Sequence, residues 1–170
     1  QAIFVATWAT KEQRFFTMLD DGDGIPADLQ DTIFEPFVTS KLDSFHSDRW
    51  GVHGRGMALY SIRQNTDDSR VVASAPGLGS VFSVASSFAC LGEKRDQSSA
   101  PVISFNEEGK PVLRGPHNIL RTVLEFSIEE RSSVAVYLGS AAEIVSTLYW
   151  LGASAAQRSS ETAPAALDEL

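Results

Sequence analysis

The sequence predicts an α/β fold, and three observations carry that prediction. Runs of β-branched and aromatic residues bounded by turn residues predict strands in the first half of the chain. Apolar residues at helical spacing predict helices both before and after the middle of the chain. The chain has 170 residues, of which 43% are hydrophobic and 21% are charged, a composition typical of a soluble globular protein with a core.

The first elements predicted are a hairpin and a turn. Residues 3–7 and 14–19 are β-rich runs separated by a polar tetrapeptide, so they predict a hairpin. Residues 20–26 read DDGDGIP, an acidic and glycine-rich turn. Pro26 suits the first position of a helix, and a short helix is predicted over residues 26–31.

A loop, a helix and a second hairpin follow. Residues 42–53 are mostly polar and predict a mobile loop. Residues 54–64 read GRGMALYSIRQ and predict a helix that has two glycines at its start. Residues 71–75 and 80–86 predict two more strands, because they are joined by Pro-Gly-Leu-Gly, a strong turn signal.

The last part of the chain predicts a linker, a helix–strand–helix unit and a tail. The linker is polar and contains three prolines, with one short strand inside it. The tail is small, polar and net acidic, and this composition predicts disorder. The ranges are 92–116 for the linker, 102–105 for its strand, 118–129 and 141–156 for the helices, 134–138 for the strand between them and 158–170 for the tail.

Charge and cysteine usage exclude several classes of function. The net charge of −8 argues against nucleic acid or an anionic membrane as the partner. The single cysteine, Cys90, excludes an intramolecular disulfide and a cysteine-based zinc cluster. It fits a reducing, cytoplasmic compartment. Residues 134–156 are apolar, but Gly139 and Ser140 interrupt them, so they predict a buried strand–helix unit rather than a membrane span.

The DxGxG turn is the first candidate for chemistry. Asp20 follows a strand, and a carboxylate there can accept a hydrogen bond from an exocyclic amine such as that of adenine. Gly22 and Gly24 let a flat ring approach the backbone. An ordinary acidic turn is the alternative. A calcium loop is a further competitor, although the bidentate glutamate that ends such a loop is absent.

Two further blocks are candidates for binding phosphate. Gly54 and Gly56 open a predicted helix, where unpaired N–H groups favour an anion, and Arg55 adds a positive charge. A tight turn is the alternative. Residues 33–41 read IFEPFVTSK and end at Lys41, beside the predicted loop. For this block the alternative is a hydrophobic cluster under a loop, with a solvated lysine, and we expect Phe34 and Phe37 to form such a cluster in either case.

In this order and spacing, these blocks and the SAPGLGSVF hairpin of residues 74–82 resemble the GHKL ATP-binding family, most closely its histidine-kinase branch. In that branch a DxGxGIP turn is followed by an IFxPFxTxK box, a lid, a GxGxGL box and a strand–PGxGS–strand hairpin. The resemblance covers roughly residues 1–90. It implies the Bergerat fold, a two-layer α+β sandwich whose mixed, mainly antiparallel sheet has helices on one face.

The resemblance also implies an ATP site. Asp20 would accept from the adenine amine, and Ile25 would lie against the ring. Residues 42–53 would form the lid, and the backbone N–H groups of Gly54 and Gly56 would face the phosphates. The full nucleotide-binding set that it implies is Asp20, Gly22, Gly24, Ile25, Lys41, Gly54, Arg55, Gly56 and Met57.

The sequence departs from the family pattern in two places. Ala58 stands where the glycine box has its last glycine. In the family, an Asn-bearing helix before the first hairpin supplies the Mg²⁺ ligand, and this sequence opens inside the first strand. We therefore expect an N-terminally incomplete domain that takes ATP and Mg²⁺ but carries no magnesium ligand in this chain and no assignable catalytic residue. His117 faintly resembles a phosphoacceptor, but we interpret it as a structural or helix-start histidine.

These observations divide the chain into an ATP-binding domain (1–90), a linker or arm (91–116), a helix–strand–helix unit (117–156) and a disordered tail (157–170). The apolar faces of residues 117–156 predict packing against the sheet, another domain or a second copy. The predicted function is binding of Mg-ATP under a mobile lid, for phosphoryl transfer or hydrolysis in a signalling histidine-kinase-like enzyme or ATPase. The alternative is a non-catalytic nucleotide-binding module, or a degenerate one, with a role in regulation or protein interaction.

Overall fold

A computed structural model of the chain describes residues 1–38, 56–89 and 99–161. Within these ranges the chain forms seven strands and three helices. In chain order they are β1 (Ala2–Ala9), β2 (Gln13–Asp20), α1 (Ala58–Gln64), β3 (Asp68–Ser74), β4 (Ser80–Ser87), β5 (Val102–Phe105), β6 (Pro111–Arg114), α2 (Ile119–Glu129), β7 (Ala135–Gly139) and α3 (Ala141–Glu161).

The main sheet has five strands in the order β3-β4-β2-β1-β7. Neighbouring strands are antiparallel except β1 and β7, which are parallel. The mixed and mainly antiparallel sheet confirms the predicted α+β class, and both predicted hairpins are present as β1–β2 and β3–β4. The Bergerat arrangement itself stays a prediction.

The two faces of this sheet are covered by different elements. On one face, Phe4 stacks on Tyr137 at 4.8 Å between ring centroids and packs with Ile144 of α3. Phe82 lies on the opposite face, because it shares a row with Met18 and Val5 and not with Phe4. Phe34 packs edge-on against Phe82 at 6.5 Å, and the guanidinium of Arg63 in α1 lies over the Phe34 ring.

Helices α1 and α3 are therefore associated with different faces. The physical reason is β7. This strand extends the sheet beyond β1, and α3 follows it after only Ser140, so the apolar side of α3 packs onto the face that carries Phe4 and Ala6. The expectation of helices on one face concerned residues 1–90, where α1 is the helix that the structure describes, and it stays a prediction.

The prediction of a short helix over residues 26–31 is wrong. The amides of Leu29, Thr32 and Glu35 each donate to the carbonyl three residues earlier, which makes a run of turns and not an α-helix. Aspartates have low helix propensity, and Pro36 cannot continue a helical ladder.

The predicted linker contains more structure than the sequence indicated. The strand expected at residues 102–105 is confirmed as β5, and β6 pairs with it in a hairpin that was not predicted. Asn106 closes the turn, because its Oδ1 accepts from the amides of Glu108 and Lys110 at 3.0 and 2.8 Å. Gly109 supplies the left-handed residue with φ +73°. The Asn-x-x-Gly spacing is the signal that could have revealed this hairpin.

The helix–strand–helix unit is present as α2, β7 and α3. The buried Asn118 caps α2, with its side chain accepting from the amide of Arg121 at 3.0 Å. Because β7 pairs with β1, the unit contributes to the same sheet as the predicted ATP-binding domain, and the boundary at residue 90 stays a prediction. Helix α3 runs to Glu161, past the predicted start of the tail at residue 157. None of the helices in the described ranges combines the length and hydropathy needed to cross a membrane.

Candidate functional site

The end of β2 presents the carboxylate of Asp20 at the start of the glycine turn. Asp20 is the last residue of the strand, and its Oδ1 accepts from the amide of Gly22 at 2.9 Å. Its Oδ2 accepts no hydrogen bond from the described part of the chain. The half-buried carboxylate therefore has acceptor capacity that the described residues do not use.

The next residue, Asp21, fixes the exit of the chain from the strand. Its Oδ1 accepts from the amide of Ala2 at 2.8 Å, and its own amide donates to the carbonyl of Ala2 at 3.3 Å. These bonds continue the pairing of β1 and β2 by one residue beyond Asp20. The position of the Asp20 side chain is thus set by strand pairing on one side and by the glycine turn on the other.

The glycines of the turn serve contacts between main-chain segments. Gly24 has φ +75°, and a Cβ atom there would lie 2.1 Å from the carbonyl oxygen of Ala75. A Cβ on Gly22 would lie 2.7 Å from Oδ1 of Asp20 and would displace the carboxylate. The turn therefore packs directly on the hairpin between β3 and β4, and Gly22 keeps the carboxylate in place.

Side-chain hydrogen bonds tie the turn to that hairpin. The hydroxyl of Ser74 accepts from the amide of Ile25 at 2.7 Å. The Nε2 of Gln30 donates to the carbonyls of Ile25 at 3.0 Å and Ser74 at 3.2 Å. Sequence reasoning missed Ser74 and Gln30, because single polar residues in a strand and a turn carry no spacing signal. Ile25 itself is buried, and its contact with an adenine ring stays a prediction.

The IFEPF block joins the start of α1. The amide of Phe37 donates to the carbonyl of Gly56 at 3.2 Å, and a Cβ on Gly56 would lie 2.4 Å from the carbonyl oxygen of Val38. Phe34 is buried, as the predicted apolar cluster requires. For Phe37 that prediction is wrong, because its side chain is 73% exposed and its φ is +69°.

The predicted phosphate-binding residues are described only in part. Lys41, Gly54 and Arg55 lie outside the described residues. Gly56 and Met57 immediately precede α1, and Met57 is its N-cap, without a side-chain hydrogen bond. The structure thus brings Asp20, Gly22, Gly24 and Ile25 together at one end of the sheet. The contribution of the other predicted residues stays a prediction.

Among the described residues, no cluster of metal ligands adds to this site. Within residues 1–38, 56–89 and 99–161, no group of three His, Cys, Asp or Glu side chains could hold a metal ion. That finding includes the aspartates for which a calcium loop was the alternative. His117 is exposed and precedes the α2 N-cap, Asn118, which agrees with its interpretation as a helix-start histidine.

Comparison with known proteins relates part of the chain to a signalling kinase. No protein-family model matches the chain. Over 89 residues it is 35% identical to the hybrid signal transduction histidine kinase F of Dictyostelium discoideum. The match covers 51% of this chain and 8% of that kinase, so the chain spans a small part of the length of its relative. A region of this chain is therefore similar to part of a histidine kinase, in agreement with the coarser part of the resemblance.

Proposed function

We propose that residues 1–90 bind ATP, as part of a histidine-kinase-related signalling protein. One observation carries the proposal: at the end of β2, the acceptor carboxylate of Asp20 lies beside a glycine turn that packs on the β3–β4 hairpin. A fixed acceptor next to accessible backbone suits a flat base with an exocyclic amine. The similarity to a histidine kinase supports adenine as that base.

The charge of the chain limits how the phosphates can be held. Residues 1–60 carry more acidic than basic side chains, so bulk charge does not attract an anion there. We assign the phosphates to the backbone N–H groups of Gly54, Gly56 and Met57, with positive charge from Lys41 and Arg55. Backbone N–H groups can bind an anion without a net positive field.

Magnesium would enter with the nucleotide. Because the resemblance places the magnesium ligand in a helix before the first hairpin, the proposal assigns Mg²⁺ no protein ligand among residues 1–90. Bound to the phosphates, Mg²⁺ would neutralise charge that the acidic chain cannot. The residues of the chain would bind the base and orient it.

Calorimetric titration of the 170-residue chain with ATP, with and without Mg²⁺, tests the proposal. Asp20→Asn removes the charged acceptor, and we expect about a tenfold loss of affinity or more, because hydrogen bonds to charged groups are the strong ones. Asp23→Asn is the matched control. It removes the same charge from the same turn at an exposed side chain, and its affinity should stay within about twofold of wild type. Equal affinities of wild type and Asp20→Asn would contradict the assignment of adenine to Asp20.

Turnover separates the two functional classes. Magnesium-dependent hydrolysis of ATP, or transfer of its γ-phosphate to a histidine, supports an enzyme. Turnover by the 170-residue chain would therefore contradict the alternative, a non-catalytic nucleotide-binding module. The absence of ATP binding by the wild-type chain would overturn both.

A further inference from the structure

We infer that Ser74, at the end of β3, positions the turn of residues 20–25 for the adenine base, an inference that rests on the proposed function. Its Oγ lies 2.7 Å from the amide nitrogen of Ile25 and 3.0 Å from the carbonyl oxygen of Gly79. It also lies 3.2 Å from Oγ of Ser80. One hydroxyl therefore contacts the end of the turn, the residue that precedes β4 and the first residue of β4.

The chemistry of these partners fixes the direction of each bond. A hydroxyl has one proton to donate and two lone pairs. The amide of Ile25 can only donate, and the carbonyl of Gly79 can only accept. Ser74 therefore gives its proton to Gly79 and accepts from Ile25, which leaves its second lone pair for the proton of Ser80. The proton and both lone pairs of the hydroxyl are therefore hydrogen-bonded, and the three bonds fix its position.

These bonds connect Ser74 to Asp20 without direct contact. Gly79 lies against the main chain of Asp20, with a hypothetical Cβ only 1.9 Å from the Asp20 carbonyl oxygen. Ser80 is buried and pairs with Asp20 across β2 and β4. Ser74 thus holds the far end of the turn, Ile25, to the same residues that neighbour the near end, Asp20. Ser74 acts through the turn of residues 20–25 and is therefore a positioning residue.

Other contacts hold the turn, but none replaces this hydroxyl. The amide of Gly77 donates to the carbonyl of Asp23 at 2.8 Å, and Gln30 donates to the carbonyl of Ile25. Both of these bonds use carbonyl groups of the turn. The amide of the buried Ile25 has Ser74 as its acceptor. Without the hydroxyl, that amide would be left inside the protein with its hydrogen bond unmade, a state that proteins avoid.

The test combines amide hydrogen exchange with ligand binding. We expect Ser74→Ala to raise the exchange rate of the Ile25 amide about tenfold or more, and to lower the affinities for adenosine and ATP by one common factor of about ten. The factor should be common because the affected contacts are at the base and not at the phosphates. Ser74→Thr keeps the hydroxyl and should restore both the slow exchange of the Ile25 amide and the affinities for adenosine and ATP. Binding is measured at a temperature at which every variant is folded, where a purely structural role would leave affinity unchanged.

Ser69→Ala is the matched control on the same strand. The Ser69 hydroxyl is buried and has no hydrogen-bond partner among the described residues, so its removal should change neither quantity. An Ile25 amide that stays protected in Ser74→Ala would overturn the inference, as would lost protection with unchanged affinity. Failure of the wild-type chain to bind adenosine or ATP would instead overturn the proposed function, and the exchange of Ile25 would still report on Ser74.

Discussion

Gly79 lies so close to the main-chain carbonyl of Asp20 that a Cβ atom on residue 79 would fall 1.9 Å from that oxygen. Gly79 also has φ +80°, a conformation that side chains disfavour. It immediately precedes β4, and Asp20 ends the neighbouring β2. The glycine is therefore required both by its own conformation and by the contact between two strand ends.

The contact of Gly79 with Asp20 predicts that two glycines of one turn differ in how much their replacement lowers the free energy of unfolding. Gly79→Ala should lower the free energy of unfolding by about 3 kcal/mol, the sum of left-handed strain and a main-chain clash. Gly77→Ala should cost about 1 kcal/mol, because Gly77 has a similar φ of +74° but a Cβ atom there would meet nothing within 4 Å. Urea unfolding of both variants measures the difference. Equal losses would show that conformation alone, and not contact with Asp20, requires glycine at residue 79.

The two phenylalanines of the IFEPF block give a second prediction. Phe34 is 5% exposed and packs on Phe82, so Phe34→Ala should lower the free energy of unfolding by about 4 kcal/mol. Phe37 is mostly exposed, and Phe37→Ala should change it by less than about 0.5 kcal/mol. Chemical denaturation of the two variants tests this ranking. A loss at Phe37 as large as that at Phe34 would place both side chains in the core.

Local patterns made part of this fold predictable. The hairpins β1–β2 and β3–β4 pair neighbouring segments, and turn residues such as Pro76 and Gly77 mark where the chain reverses. Helix α2 was predictable from its apolar spacing and from Asn118 at its start. The parallel pairing of β7 with β1 was not, because periodicity shows that a segment is a strand but does not identify a distant partner.

The candidate site was predictable to the same depth. The DxGxG pattern located the turn and the Asp20 carboxylate, which the structure places together. It did not reveal that Gly24 is required by contact with Ala75, nor that Ser74 binds the amide of Ile25. These relationships depend on how two segments about fifty residues apart pack, and that packing has no signature in either segment alone.

The start of α3 predicts a pH-dependent contribution to stability. The amide and the hydroxyl of Ser140 both donate to Oε2 of Glu143, at 2.7 and 2.8 Å. Both hydrogen bonds hold the pKa of Glu143 below its usual 4.5, and the bond from the Ser140 amide has the larger effect. Because the folded pKa lies below the unfolded one, this stabilisation is present above pH 4.5 and is lost as the pH falls through the folded pKa.

Glu143→Gln should therefore be less stable than wild type at pH 7, and the difference should shrink as the pH falls below 4.5. Denaturant unfolding at a series of pH values measures it, and NMR titration of the Glu143 carboxyl gives the pKa directly. Glu107→Gln removes one carboxylate from an exposed turn position and is the matched control for the loss of charge. A difference between wild type and Glu143→Gln that stays constant down to about pH 2 would contradict the capping interaction.

The last prediction concerns whether the C-terminal unit is part of one cooperative fold. Ile144 of α3 is buried against Phe4 and Ala6 of β1, and β7 hydrogen-bonds to the same strand. Ile144→Ala should therefore lower the free energy of unfolding by about 3 kcal/mol and raise amide exchange in β1 as well as in α3. Val145→Ala, at the adjacent but exposed position, should cost less than about 0.5 kcal/mol.

If Ile144→Ala loosened α3 while the β1 amides kept their protection, the C-terminal unit would be an independent body, as the predicted boundary at residue 90 implies. Faster amide exchange in both α3 and β1 would instead show that the β1–β7 pairing and the α3 packing stabilise β1. Strand β1 pairs with β2, which ends at Asp20.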